Sequence, residues 1–554
     1  MKPFANHGRT LRLLLAFSLV FFAAALCSSC GKGEPQTLLS RTDDQGSNTR
    51  FLTAVEDEPD TVDFQCTTIH YTVANNVFNR LVETEMDDNG QAYIAPSLAE
   101  SWEVSNDGLN YTFHLREGVL FSNGSPLTSD DVLYTFTRLL THPDSCNQDI
   151  VEMIEGAHQL RSGEATELKG FKVVNDHDFI ITLERPFAAF LSCLSMSGAS
   201  ILDKKTVEAA GNRFGLDPDC TIGTGSYVLK SWEPGKGMVL VANRNCWNGA
   251  PRNDGLDLRF LSEPVEMREL FEEGELDVLD LDEIGGAAEY YIHGDIYQDR
   301  LYKVPRIAIS YFALNEQVAP LNDVRVRKAL QLATDRQTLL YAIYDGLGSV
   351  ENGIYPHGLV GFNPNLPEIP FSPDQAKDLL REAGYPDGFD ITVTVNASST
   401  QREMTLVELV VGMWEQIGVH ASVEVLQEDE FMRLRKSGSL ACYTALWTAD
   451  YDDPGNFIYT FFGNRENTTF RSICYQREDI MSRVREARMI TDSDKRIQEY
   501  QDLERIIAQD DAAWIPLYSR LHLYVVSERV EGFQYMWNGS VKSMYSQFSL
   551  RETS

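Results

Sequence analysis

SPDQAKDLLREAGYPDGFDITVTVNASSTQREMTLVELVVGMWEQIGVHASVEVL, residues 372–426, passes twice from helix chemistry to strand chemistry. Ser372 is placed to cap a helix, with Pro373 at its first position and Gln375 completing a capping box. Leu379 and Leu380 supply its apolar face, and Gly384 ends it. Ile-Thr-Val-Thr-Val at 391–395 has the two-residue period of a half-buried strand. Residues 403–417 read as an amphipathic helix ended by Gly418, and 419–426 alternate again. Strands separated by helices predict a layered α/β lobe.

The same reading extends outward. Residues 51–55, 111–115, 179–183, 256–261 and 276–281 are strand candidates. Thr128 or Ser129 is placed to cap a helix over 130–140. Runs at 227–232 and 238–242 flank Glu233-Pro234-Gly235-Lys236-Gly237 and predict a hairpin. Pro264 starts and Gly274 stops a further helix.

The chain has 554 residues, with 43% hydrophobic and 10% aromatic side chains, a globular composition that implies several domains. The 82 acidic residues outweigh 48 basic ones, giving a net charge of -34. That charge excludes nucleic acid and anionic lipid surfaces as natural partners.

Lys2, Arg9 and Arg12 form a positive head, followed by an apolar run over 13–26 broken only by Ser18. The run is short for a bilayer span and fits the core of an export signal over 1–29. Ser28, Ser29 and Gly31 around Cys30 resemble the lipobox of bacterial lipoproteins, which makes Cys30 the expected lipidation site and Cys27 its rival. Residues 30–50 then read as anchor and flexible tether, rich in Gly, Ser, Asp and Thr. Seven further cysteines follow, an odd number that leaves at least one unpaired in a monomer.

Enzyme signatures are lacking. There is no HExxH, no Gly-x-Ser-x-Gly and no phosphate loop. Gly223-Thr224-Gly225 begins like a dinucleotide fingerprint, but Val228 stands in place of the third glycine, so it reads as a tight entry into a strand. The ten histidines show no metal-ligand spacing, and His114 reads as a strand residue. No catalytic residue, metal or cofactor is therefore assigned. One stretch stands apart: Trp447-Thr448-Ala449-Asp450-Tyr451-Asp452-Asp453-Pro454 follows an apolar segment. It reads either as a solvated acidic turn or as a binding element. In the second case it offers strand-edge groups, a ring and a fixed negative charge for the ammonium of an extended peptide.

Four stretches carry a family resemblance. They are YTFHLREGVLFSNGSPLTSDDVLYTFTRLL (111–140), TIGTGSYVLKSWEPGKGMVLVANRNCWNG (221–249), DVRVRKALQLATDR (323–336) and LWTADYDDPGNF (446–457). Together they resemble the solute-binding proteins of ATP-binding-cassette (ABC) importers, of the oligopeptide- and dipeptide-binding type. The resemblance implies a two-lobed α/β fold of the periplasmic-binding-protein kind, with an extra subdomain and a hinge. Lobe I would comprise 51–86, 215–309 and 517–554, the extra subdomain 87–214, and lobe II 310–516. It implies an exported, lipid-anchored monomer that traps a peptide and delivers it to a permease driven by ATPase subunits. Asp450 would pair with the peptide's α-ammonium, the strand ending at Trp447 and Thr448 would supply backbone bonds, and Ile69, His70 and Tyr71 would form the opposite edge. Some relatives carry cysteine where Thr448 stands, and some bind oligosaccharides or nickel and other metal chelates, which are the alternative ligands; a secreted hydrolase is a remote third reading. The resemblance assigns no residue to the ligand's carboxylate.

Overall fold

The computed structural model describes residues 51–551. The expected signal over 1–29, Cys30, Cys27 and the tether lie outside the described residues. Among the described residues, no helix is long and apolar enough to cross a membrane.

Two large mixed sheets organise the chain. The seven-stranded sheet runs Leu301–Val304, His522–Val526, Val278–Asp280, Phe51–Glu56, Gly255–Phe260, Gly237–Ala242, Tyr227–Glu233. The six-stranded sheet runs Gly348–Val350, Trp514–Arg520, Ala308–Leu314, Cys442–Thr448, Phe389–Asn396, Val419–Leu426. Alternation along a strand explains how each sheet is covered on both faces. In Ala308–Leu314 every residue is buried. Ile309, Tyr311 and Ala313 enter one core with Phe461 and Trp514, whereas Phe312 and Leu314 enter the other with Val393 and Trp414. A smaller four-stranded antiparallel sheet, Ala99–Val104, Asn110–Leu115, Asp178–Thr182, Phe171–Val173, builds a subdomain with its own core. The fold is thus two-lobed α/β with an added subdomain.

The chain passes between the large sheets twice, between Val304 and Ala308 and again at Leu521. The strands on either side are neighbours in both sheets: Leu301–Val304 pairs with His522–Val526, and Ala308–Leu314 with Trp514–Arg520. The Trp514–Arg520 strand stays in the six-stranded sheet beyond residue 516, where the division between lobes is expected, because its pairing continues through Arg520 opposite Gly348. Polar contacts gather at this crossing: Arg520 forms an ion pair with Asp282 at 2.6 Å, and His522 Nε2 lies within hydrogen-bond distance of the Asp280 carboxylate at 2.7 Å.

Local signals fare unevenly. Thr128 caps the helix Ser129–Thr141, with the Asp131 carboxylate accepting from its N–H at 2.9 Å. The helix Pro373–Glu382 starts at Pro373 as expected, but Ser372 (φ -151°, ψ 81°) makes no side-chain cap bond, so the expected box with Gln375 does not form. The box forms instead at the next helix, Gln401–Glu415, where Thr400 Oγ1 accepts from Glu403 N–H and the Glu403 carboxylate accepts from Thr400 N–H. Gly223 opens a strand entry pressed against the helix Thr72–Val77: a Cβ there would lie 2.0 Å from the carbonyl oxygen of Val77. His114 sits in a strand and pairs with Asp178. All seven cysteines of the described residues are free thiols.

Candidate functional site

The strand Cys442–Thr448 sits inside the six-stranded sheet but is only half paired on one side. Its partner Ala308–Leu314 runs antiparallel along its whole length. Its other neighbour, Phe389–Asn396, pairs in parallel only at Val393 with Cys442 and Thr394 with Tyr443. From Thr444 to Thr448 that edge has no strand beside it among the described residues. Unpaired strand groups are a template for an added extended chain.

The acidic loop after this strand uses its three aspartates differently. Asp453 caps the helix Pro454–Phe462 by accepting from Gly455 N–H, and it forms a buried ion pair with Arg496 at 2.6 Å. Asp452 accepts from Val360 N–H at 2.8 Å. Asp450 is clamped by Asn456, whose Nδ2 donates to its Oδ2 at 3.0 Å and whose Oδ1 accepts its backbone N–H at 3.0 Å. Its Oδ1 accepts no hydrogen bond among the described residues, and the charge of Arg471, in the same cavity, acts on the carboxylate. The side chain is open to solvent, yet protein from both walls surrounds it. Desolvation therefore raises its carboxyl above the ordinary range, and Asn456 opposes the shift.

Asp450 faces a cavity of about 410 Å³ between the six-stranded lobe and the four-stranded subdomain. Trp447 shares that cavity; it packs edge-on against Phe461 and carries the Arg471 guanidinium over its face at 4.7 Å. The far wall contributes Asp149, Glu152 and Phe187. Arg488 bridges the walls, with its guanidinium 3.8 Å from the Tyr459 ring and 4.6 Å from that of Phe187, and its carbonyl oxygen accepts from Ala188 N–H. A second cavity of about 300 Å³ lies beside Thr444, Ala445 and Leu446, with Arg402 and Arg520 on its rim. The free edge thus runs from one cavity to the other. A smaller space of about 30 Å³ around Glu56 and Lys542 is unconnected with this strand.

Of the other sequence-derived positions, Thr448 ends the free edge and pairs with Ala308 across the sheet. Ile69 is exposed, and its N–H and carbonyl are both engaged by Thr67 Oγ1. His70 takes a left-handed conformation (φ 59°). The Tyr71 phenol donates to Thr67 O at 2.7 Å; burial pushes it up, and the charge of Asp450 adds to the shift, so Tyr71 stands within electrostatic reach of that carboxylate. Sequence reasoning missed Asn456, Arg471 and Arg488. Only Asn456 lies inside a stretch already singled out; the two arginines come from segments with no periodic or motif signal.

Comparison with known proteins bears on the family and the fold. Residues 93–469 match the family described as bacterial extracellular solute-binding proteins, family 5 Middle. Heme-binding protein A of Haemophilus influenzae is 28% identical over 94% of this chain and 95% of its own length. The dipeptide-binding protein of Escherichia coli is 28% identical over 82% of this chain and 86% of its own. Among solved structures, HbpA2 from Haemophilus parasuis superposes with a TM-score of 0.76 at 26% identity, covering 91% of this chain and 100% of that one. The family match takes in nearly all of the subdomain, most strands of both large sheets and the loop that carries Asp450, and this chain belongs to the bacterial extracellular solute-binding proteins of family 5.

Proposed function

We propose that this protein captures peptides outside the cytoplasm and hands them to an ABC importer. The observation that carries the reading is the Asp450 Oδ1 that accepts no hydrogen bond, at the end of an unpaired strand edge. A peptide added along Thr444–Thr448 gains backbone hydrogen bonds, and its α-ammonium reaches Asp450. The relative named for dipeptides supports the ligand class. The two-strand crossing acts as the hinge between lobe I (51–86, 215–304 and 522–551), with its subdomain over 87–214, and lobe II (308–520). Closure of the lobes over the peptide creates the surface read by the permease, and ATPase subunits drive release. The protein works as a monomer, tethered to the membrane through a lipid on Cys30.

The relative named for heme raises a second ligand. Cys193 and Met196 bring sulfur to the cavity, and no histidine lines it among the described residues. Burial holds the Cys193 thiol far above its ordinary range, so it presents a neutral thiol and not the thiolate that binds iron. Peptide is the better fit.

The test is a thermal melt of the mature protein against peptides of two to five residues, the same peptides N-acetylated, and hemin. At 100 times Kd a ligand stabilises by about 2.7 kcal/mol. Free peptides are expected to raise the Tm, acetylated ones not, and Asp450→Ala to cost about 3–5 kcal/mol of binding. A shift with hemin alone overturns the peptide reading.

A further inference from the structure

Two of the seven thiols stand apart from the others. Cys193, Cys220, Cys246, Cys442 and Cys474 are buried, whereas Cys66 is half-buried and Cys146 is exposed. The two are remote in sequence yet joined at the root: Cys146 N–H donates to the carbonyl oxygen of Gln65, the residue before Cys66, at 2.9 Å. Across a trans peptide that oxygen lies about 2.8 Å from the following Cα, and an amide nitrogen lies about 1.5 Å from its own. These links cannot all lie in one line, so the two Cα atoms fall within the roughly 7 Å that a disulfide tolerates.

The sulfurs already approach one turn. Cys66 Sγ lies 3.4 Å from His142 Nδ1, and Cys146 Sγ lies 3.4 Å from the carbonyl oxygen of Asp144. Ser145 N–H closes that turn on the carbonyl oxygen of His142 at 3.1 Å. The backbone on either side is pinned in place. Asn147 Nδ2 donates to the carbonyl oxygens of Phe64 at 2.9 Å and Thr67 at 2.7 Å. Gln65 Nε2 donates to Thr135 O at 3.0 Å, and Arg138 pairs with Asp63 at 2.5 Å. Rotation of the exposed Cys146 side chain is the main adjustment left.

We propose that Cys66 and Cys146 are a disulfide-forming pair that staples the cavity wall opposite the open strand edge. The family is extracellular, and thiols exported from the cytoplasm meet disulfide oxidants. Burial and the neighbouring Asp63 push the Cys66 thiol up to about 12, so the first attack falls to Cys146. Its thiolate attacks the disulfide of an exported thiol oxidase or of oxidised glutathione, forms a mixed disulfide and releases one oxidant thiolate. Asp144 N–H donates to His142 Nδ1 at 3.3 Å, which marks that nitrogen as an acceptor, placed to take the proton of Cys66. The Cys66 thiolate then attacks Cys146 Sγ, and the second oxidant thiolate leaves with a proton. Two protein thiols are oxidised and one oxidant disulfide is reduced to two thiols. The bond ties the loop leading to Ile69, His70 and Tyr71 to the turn before Asn147 and Asp149. Tyr71 is within electrostatic reach of Asp450, and Asp149 lines its cavity. That effect on the ligand rests on the peptide reading above.

The wild-type mature protein carries the test. It is prepared reduced, equilibrated with mixtures of reduced and oxidised glutathione, unfolded in an alkylating reagent, digested and mapped by mass spectrometry. The expected product is one crosslinked peptide joining Cys66 to Cys146, with the other five cysteines alkylated. The oxidised form should melt at least about 3 °C above the reduced form. Cys66→Ser and Cys146→Ser should each abolish the crosslink and melt with the reduced wild type. Alkylation of all seven cysteines at every ratio, or a crosslink between other cysteines, overturns the pairing. An equal Tm for the two forms overturns the staple. Titration of free peptides of two to five residues is expected to show severalfold tighter binding by the oxidised form, and equal affinity overturns the effect on the wall. Binding by neither form overturns the peptide reading and leaves the crosslink map to decide the pairing.

Discussion

Asp450, Asp452 and Asp453 occupy one tetrapeptide with Tyr451, yet only the first is free to meet a ligand. The difference lies in placement and distant partners: Arg496 neutralises Asp453, Asp452 is tied to Val360 N–H and lies off the cavity wall, and Asp450 lines the cavity with one oxygen held by Asn456 and the other left over. Two predictions follow from that geometry. Asn456→Ala removes a hydrogen bond to a charged group and should weaken peptide binding by about 1.5–3 kcal/mol, less than the loss of Asp450 itself. Asp450 must be ionised to hold an ammonium, and its carboxyl sits above the ordinary range. Affinity should therefore begin to fall with acidification at a pH higher than an exposed aspartate near 3.9 would allow. Titrations between pH 4 and 7 check this; affinity flat across that range contradicts it. The candidate residue itself was legible because an acidic loop after an apolar strand is a visible pattern. Its selection over its two neighbours was not, because Arg496 and Val360 are remote in sequence.

At the level of elements, the two-residue period made residues 391–395 and 419–426 readable as strands, and both are strands. The feature that matters for binding lies elsewhere. The open edge of Cys442–Thr448 exists because Phe389–Asn396 pairs with it at only two positions, a register that no residue pattern in either strand announces. Helix starts show a similar limit. Ser372 and Thr400 carry comparable capping chemistry, but only Thr400 has the extended backbone (φ -66°, ψ 161°) that turns its hydroxyl toward the helix. Thr400→Ala should therefore lower stability by about 1 kcal/mol, and Ser372→Ala by a few tenths at most. Urea unfolding followed by circular dichroism distinguishes them; equal losses would show that hydroxyl identity outweighs backbone geometry.

The whole molecule was legible in outline because its four motif stretches fall in both lobes and in the subdomain, and the two-lobed fold accommodates each. Its electrostatic balance was not legible, because a carboxyl's surroundings depend on packing. Glu504 shows this. It is buried on the helix Ser493–Arg505 inside lobe II, where Oε1 accepts from Ile354 and Tyr355 N–H at 2.8 Å each and Oε2 has no partner. Burial pushes its carboxyl up to about 8 against an ordinary value of about 4.3. The folded state thus binds this proton more tightly than the unfolded chain. The contribution to stability is complete below about pH 4 and is lost as pH rises toward about 8, at up to about 1.4 kcal/mol per unit. Glu504→Gln keeps the oxygen that accepts the two N–H groups and removes the titration. The variant should match the wild type near pH 4 and surpass it by a few kcal/mol at pH 9. Repulsion from the net charge of -34 also grows with alkalinity. It acts on both proteins, so the difference in their unfolding free energies isolates Glu504. A gap that stays constant from pH 4 to 9 would mean that the carboxyl is already ionised in the fold and that lobe II holds a buried negative charge.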